Sequence, residues 1–166
     1  MQLSTHFTLE ELISSSTARQ HGIKNTPSPE QIENLKLLCN NILEPIREKL
    51  NTPLYISSGF RCEKLNSLIG GSKYSQHLYA QAADIQIFNK SLTNKDLFDC
   101  IVSMVKSGEI TIGQCIWEGG TDECPNWCHV SLPYKKTNQI LRMHQVYDKH
   151  LGKYRNTYED LTSLYL

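Results

Sequence analysis

The chain has no excess of charge in either direction: 17 Lys and Arg stand against 17 Asp and Glu, for a formal net charge of zero. Nucleic acids are held largely by lysine and arginine against phosphate. With no bulk positive field to do this, no nucleic-acid partner is expected. No apolar run approaches the roughly 18 residues that suggest a membrane-crossing helix, so no membrane span is expected either. The opening, MQLSTHFTLEELI, lacks a basic segment followed by an apolar one and does not read as a secretory leader. On its own sequence the protein is expected to be made and kept in the cytoplasm. Repeats, low-complexity tracts and linkers are also missing, and 166 residues suit one domain, expected to be a monomer, in which a body over about residues 7–141 carries a packed tail, 142–166.

What the chain does have is six cysteines: Cys39, Cys62, Cys100, Cys115, Cys124 and Cys128. In an exported protein these would suggest a disulfide framework. Without an export signal they read as small buried hydrophobes kept reduced.

Local signals outline the elements. Thr8-Leu9-Glu10-Glu11 is a capping-box pattern opening a short helix through Ile13. Ser28-Pro29-Glu30-Gln31 opens a second helix, with Ile32, Leu35, Cys39, Ile42, Ile46 and Leu50 on one face. Pro45 should kink that helix or end it early. Strands are expected at Leu54–Ile56, Ala83–Phe88, Ile112–Glu118 and Trp127–Leu132, with a short helix over Arg61–Ile69 and a longer one from Thr93 to Gly108. The order implies an α+β domain, a mostly antiparallel central sheet with flanking helices. The tail after Thr137 is weakly patterned, but its tyrosines and leucines suggest that it packs on the body.

The chemistry concentrates between Ser57 and Ile85, SSGFRCEKLNSLIGGSKYSQHLYAQAADI, and in Trp127-Cys128-His129-Val130-Ser131. Two imidazoles, His77 and His129, and one carboxylate, Asp84, are the ligand types of an open catalytic zinc site, which uses three protein ligands and leaves a position for water. His6, His21, His144 and His150 have no such setting. Period-two alternation puts Trp127 and Ser131 on the face of His129, with Cys128, Val130 and Leu132 turned to the core. On the strand before it, Glu118 shares a face with Gln114 and Ile116, and an antiparallel pairing would bring Glu118 near His129. Cys124 and Cys128 could be taken for a structural zinc site, but Cys128 alternates away from His129 and a full set of four soft ligands is wanting.

Taken together, S-G-F-R, Asn66, G-G-S-K-Y-S-Q-H-L-Y-A-Q-A-A-D-I and W-C-H-V-S resemble the zinc D-alanyl-D-alanine carboxypeptidases and related phage endolysin peptidases, which share a fold with the vancomycin-resistance dipeptidases and the hedgehog signalling domain. The resemblance runs from about Phe7 to Leu141. It implies one Zn2+ held by His77, Asp84 and His129. It implies that Arg61 polarises the scissile carbonyl or holds a substrate carboxylate, a role suited to a permanently charged guanidinium. Ser75 and Gln76 fall where relatives line the substrate cleft, and Trp127 joins them by alternation.

Two positions depart from the family pattern. Ala80 stands where glycine is usual, which tightens the loop between the first two ligands. Asn126 stands where several relatives place a glutamate as general base, and an amide cannot take a proton. Glu118 is the replacement that alternation favours, with Asp122 and Glu123 in the following loop as runners-up. The resemblance implies a zinc metallopeptidase acting on peptidoglycan stem peptides or their precursors, as a D-Ala-D-Ala carboxypeptidase or an endolysin-type endopeptidase reaching the wall through lysis-type release. The other readings are a non-catalytic zinc-binding module of the same fold and a phage structural component that carries it.

Overall fold

In the computed structural model, which describes residues 1–166, Thr8 and Glu11 close a capping box at the head of α1 (Leu9–Ile13). Ser15 accepts from the Ala18 N–H and starts α2 (Ser16–Gln20), a short helix that the serine-rich stretch did not announce. Ser28 and Gln31 form a second box at the head of α3 (Pro29–Leu38). The helix does not end at Pro45. It passes through a π turn, Cys39–Leu43, into α4 (Glu44–Leu50) and stops at Asn51 in the left-handed conformation. A proline offers no N–H to the ladder, and the wider turn just ahead of it takes up that interruption.

Next come β1 (Tyr55–Ser58), α5 (Glu63–Leu68), a 3-10 turn over Gln76–Tyr79 and β2 (Ala82–Gln86). The third capping box, Thr93 with Asp96, opens α6 (Asn94–Ser107), and Gly108 closes it. The chain ends with β3 (Gln114–Glu118), β4 (Trp127–Ser131), β5 (Gln139–Asp148), β6 (Lys153–Asp160) and α7 (Thr162–Tyr165). The stretch after Thr137, read as weakly patterned, thus holds β5, β6 and α7.

One six-stranded sheet results, in the order β1-β2-β4-β3-β5-β6. Every pair is antiparallel except β3 with β5. This is the expected α+β architecture with a mostly antiparallel sheet. Alternation gives the sheet two different faces. Ala83, Ile85, Cys115, Trp117, Cys128 and Val130 point to the helices and join Ile42, Ile46, Leu97 and Ile101 in one buried cluster. Each large aliphatic side chain buried there stabilises the fold by roughly 1.5–3 kcal/mol. No disulfide joins the six cysteines. Burial pushes the Cys39 thiol up to about 12, with the Glu44 carboxylate adding to the rise. No helix is long and apolar enough to cross a membrane.

Candidate metal centre

The opposite face of the sheet forms the floor of a cleft of about 890 Å³. Cross-strand pairing sets its first two polar groups. Asp84 on β2 lies directly opposite His129 on β4, and Ile116 on β3 lies opposite His129 from the other side. Directly paired residues point to the same face, so the carboxylate and the imidazole emerge side by side. His129 Nδ1 is 2.9 Å from Asp84 Oδ1.

The third group comes from outside the sheet. Ser75 caps the 3-10 turn that carries His77, and His77 Nε2 reaches to 3.2 Å from both Asp84 Oδ1 and His129 Nδ1. His77 Nδ1 lies 2.7 Å from the Gly59 carbonyl. A carbonyl only accepts, so Nδ1 carries the proton and the neutral ring turns the Nε2 lone pair inward. Two inward nitrogens and a carboxylate oxygen therefore converge, with all three donor atoms within 4.8 Å of one another and all three residues buried. Tetrahedral zinc with bonds of 2.0–2.1 Å would separate its ligands by roughly 3.3 Å. The spacing and the donor types fit such an ion, and the Gly59 carbonyl is the kind of outer partner that orients a ligating histidine.

Charge in the cleft is organised around this point. Burial alone would raise the Asp84 carboxyl, but His77 and His129 outweigh it and hold the group well below the usual carboxylate range. Glu118 moves the other way: burial raises it, the Asp84 charge adds to the rise, and His129 and Arg61 offset part of it. Its cross-strand partner is Trp127. The indole N–H lies close enough to favour the Glu118 anion but makes no hydrogen bond of ordinary geometry. Arg61 is half-buried, its Nη2 donating to Ser75 Oγ at 3.3 Å while the buried Nε has no partner. Burial lowers its pKa, and Asp84 and Glu118 pull it back up.

Arg61, Ser75, Gln76, His77, Asp84, Glu118, Trp127 and His129 all border the one cleft. Gln76 donates to the Leu132 carbonyl at 3.4 Å. Asp122 is a highly exposed loop residue paired with Arg142. Neither Asp122, Glu123 nor Asn126 borders the cleft. Asn126 is held in the β3–β4 turn, where its N–H donates to the Glu118 carbonyl and its own carbonyl accepts from Asn94. Ala80 ends the 3-10 turn at φ 56°, a left-handed conformation that suits glycine and strains other residues.

Two parts of the cleft were not found from sequence. One is the loop over Ile69–Tyr74, and the other is the β5–β6 hairpin with Met143, Gln145, Tyr154, Asn156 and Tyr158. The period-two spacing of tyrosine and amide residues on either side of Lys149-His150-Leu151-Gly152 was the available signal for the hairpin.

The sheet thus presents, on the floor of an open cleft, a convergent His-Asp-His set able to hold a metal ion. Comparison with known families is more specific. The Peptidase M15 family matches residues 5–131, and this chain belongs to it. The resemblance to zinc D-alanyl-D-alanine carboxypeptidases therefore holds at the level of the family. No curated protein matches the chain.

Proposed function

We propose that the chain is a zinc metallopeptidase that hydrolyses peptidoglycan stem peptides. The observation that carries this reading is the convergence of His77 Nε2, Asp84 Oδ1 and His129 Nδ1 beside a second, half-buried carboxylate and a guanidinium with a free donor. His77, Asp84 and His129 would hold the ion. When bound, zinc polarises a carbonyl and lowers the pKa of water from 15.7 toward roughly 7.

The chain's own residues supply the rest. Glu118 lies on the same face as the donor trio but outside it, so it is free to accept a proton from the attacking water and return it to the leaving amine. Its raised pKa suits an acid–base role, because a group that holds a proton more tightly can also deliver one. The unpartnered Arg61 Nε faces a shortage of acceptors that a substrate carbonyl oxygen or terminal carboxylate would fill. Ser75 holds the guanidinium in place, and Gln76 and Trp127 flank the peptide.

The test is incubation of the purified, metal-loaded protein with muropeptides, followed by mass spectrometry. New fragments that disappear on chelation and return with zinc support the reading and name the bond cut. An unchanged muropeptide profile would favour a non-catalytic zinc-binding module, the reading that Asn126 in place of the usual glutamate keeps open.

A further inference from the structure

The sheet does not stop at the metal centre. The face that carries Asp84, His129 and Glu118 continues through the Ile116–Leu141 pair onto the β5–β6 hairpin. There the register sets Met143 opposite Tyr158, Gln145 opposite Asn156 and Tyr147 opposite Tyr154. These three rungs share the Leu141 face by alternation, and Met143, Gln145, Tyr154, Asn156 and Tyr158 border the cleft.

The two faces of this hairpin differ in chemistry. Charge lies on the far face, where His144 meets Glu159, Arg155 meets Asp148 and Arg142 meets Asp122. Lys153 and Arg155 also border the cleft, yet they alternate to that far face. On these three rungs the near face is made of uncharged aromatic, amide and thioether groups, and the rung before them, Leu141 with Asp160, adds one carboxylate and no cation. Its tyrosines are not core residues: Tyr147, Tyr154 and Tyr158 are 50%, 68% and 54% exposed. The Tyr147 and Tyr154 rings meet edge to face at 5.2 Å. The hairpin also lies wholly beyond residues 5–131, the part matched by the family.

We infer that this hairpin face is a binding platform for the N-acetylated glycan strand to which a wall peptide is attached. The inference rests on the peptidase reading for the identity of the polymer. A pyranose ring has flat C–H faces and a rim of hydroxyl and amide groups. Tyrosine rings suit the first, and Asn156 and Gln145 each offer both donors and an acceptor to the second. An acidic stem peptide would instead call for cations, and the near face has none. The cleft thereby divides in two: an end around Arg61 and Glu118 for the peptide, and an aromatic and amide floor, edged by Lys153 and Arg155, for the sugar.

The platform is tested with a sugar that has no peptide. Titration of N,N′,N″,N‴-tetraacetylchitotetraose into the protein, followed by tyrosine fluorescence or calorimetry, should show saturable binding. Tyr154→Ala and Asn156→Ala should each weaken it about three- to tenfold, and Tyr154→Phe should restore most of the loss. In parallel, the ratio of kcat/KM for a glycan-linked stem peptide to that for the free peptide should fall by the same factor in Tyr154→Ala. Both side chains are exposed, and melting curves of the variants verify that they fold. Absence of saturable oligosaccharide binding, or an unchanged ratio, would overturn the platform. If the parent protein cut neither peptide, the peptidase reading would fail, while the titration would still decide whether the hairpin binds sugar.

Discussion

Replacing Glu118 by glutamine should separate catalysis from metal retention and from stability. The carboxyl is not one of the three convergent donors, so Glu118→Gln should hold as much zinc as the parent protein. Glutamine keeps the shape and the hydrogen bonding but cannot accept a proton. Acid–base groups contribute about 10²–10⁴-fold in rate, which corresponds to roughly 2.7–5.4 kcal/mol of barrier. Stability should move in the other direction. Burial and then the Asp84 charge raise the Glu118 pKa, so the folded protein favours the protonated acid. The stabilisation that this gives is complete below the ordinary glutamate value of about 4.3 and is lost as pH rises through the higher folded value. A glutamine has no charge to desolvate. At neutral pH the metal-free variant should therefore melt at or above the temperature of the metal-free parent. Three measurements decide the matter: elemental analysis, turnover of wall peptides, and thermal melting after chelation. Near-parental turnover with full zinc would refute Glu118 as the base. A marked drop in melting temperature would refute the burial reasoning.

The donor trio predicts that His77→Ala, Asp84→Ala and His129→Ala each lose bound zinc by elemental analysis; full retention in all three would sink the assignment. Glu44 should anchor the N-terminal segment, because its buried carboxylate accepts from Ser4 Oγ at 2.7 Å and the His6 N–H at 2.6 Å and lies 2.8 Å from His6 Nδ1. Glu44→Ala should cost about 2–4 kcal/mol in urea unfolding at pH 7. Burial opposes the Glu44 anion but the His6 and Ser4 hydrogen bonds outweigh it and lower the pKa, so this stabilisation is present above the ordinary value of about 4.3 and is lost as pH falls through the folded value; the gap between parent and variant should narrow in acid. Ala80→Gly should leave stability within about 1 kcal/mol of the parent, because relief of roughly 1–2 kcal/mol of left-handed strain is offset by a lost buried methyl of about 0.8 kcal/mol and a freer unfolded chain. A melting shift well outside that range would show that the loop, not the residue, sets the strain.

How far the fold can be read from the chain depends on how local each signal is. The capping boxes at Thr8, Ser28 and Thr93 lie within four residues, and all three helices start where those boxes place them. The strands that carry Asp84, Glu118 and His129 are buried on both faces at their centres, so the faces of Trp127 and Glu118 are legible only by counting in twos from His129 and pairing the two strands as a hairpin. Pairing order is not local. Nothing in β3 or β5 announces that they run parallel or that β4 sits between β2 and β3. The β5–β6 hairpin is hidden for a different reason. β6 is exposed along nearly its whole length, so it has no apolar stripe to mark its period. The π turn before Pro45 is likewise a compromise of the folded helix, invisible to a reading that allows only a kink or an end.

The metal centre itself depends on both kinds of information. Pairing of β2 with β4 fixes Asp84 against His129, but His77 stands on a turn and needs a separate hold. Gly59 provides it by accepting from His77 Nδ1. The position of Gly59 is set in turn by α1: a Cβ there would lie 2.2 Å from the Leu12 carbonyl oxygen, the same oxygen that accepts from the Phe60 N–H at 2.7 Å. A side chain at 59 would push the strand end away from α1 and take the His77 partner with it. The backbone also ties the two loops directly, through the Arg61 N–H donating to the His77 carbonyl at 3.1 Å. The glycine of the S-G-F-R motif thus works through close packing, and the arginine beside it works through charge. Leu12, far from the donor trio in sequence, holds the backbone that orients one of its members. This is why the motif residues are interpretable only as a unit: the glycine sets the histidine's tautomer, the histidine's loop carries Ser75, and Ser75 holds the guanidinium of Arg61 toward the cleft.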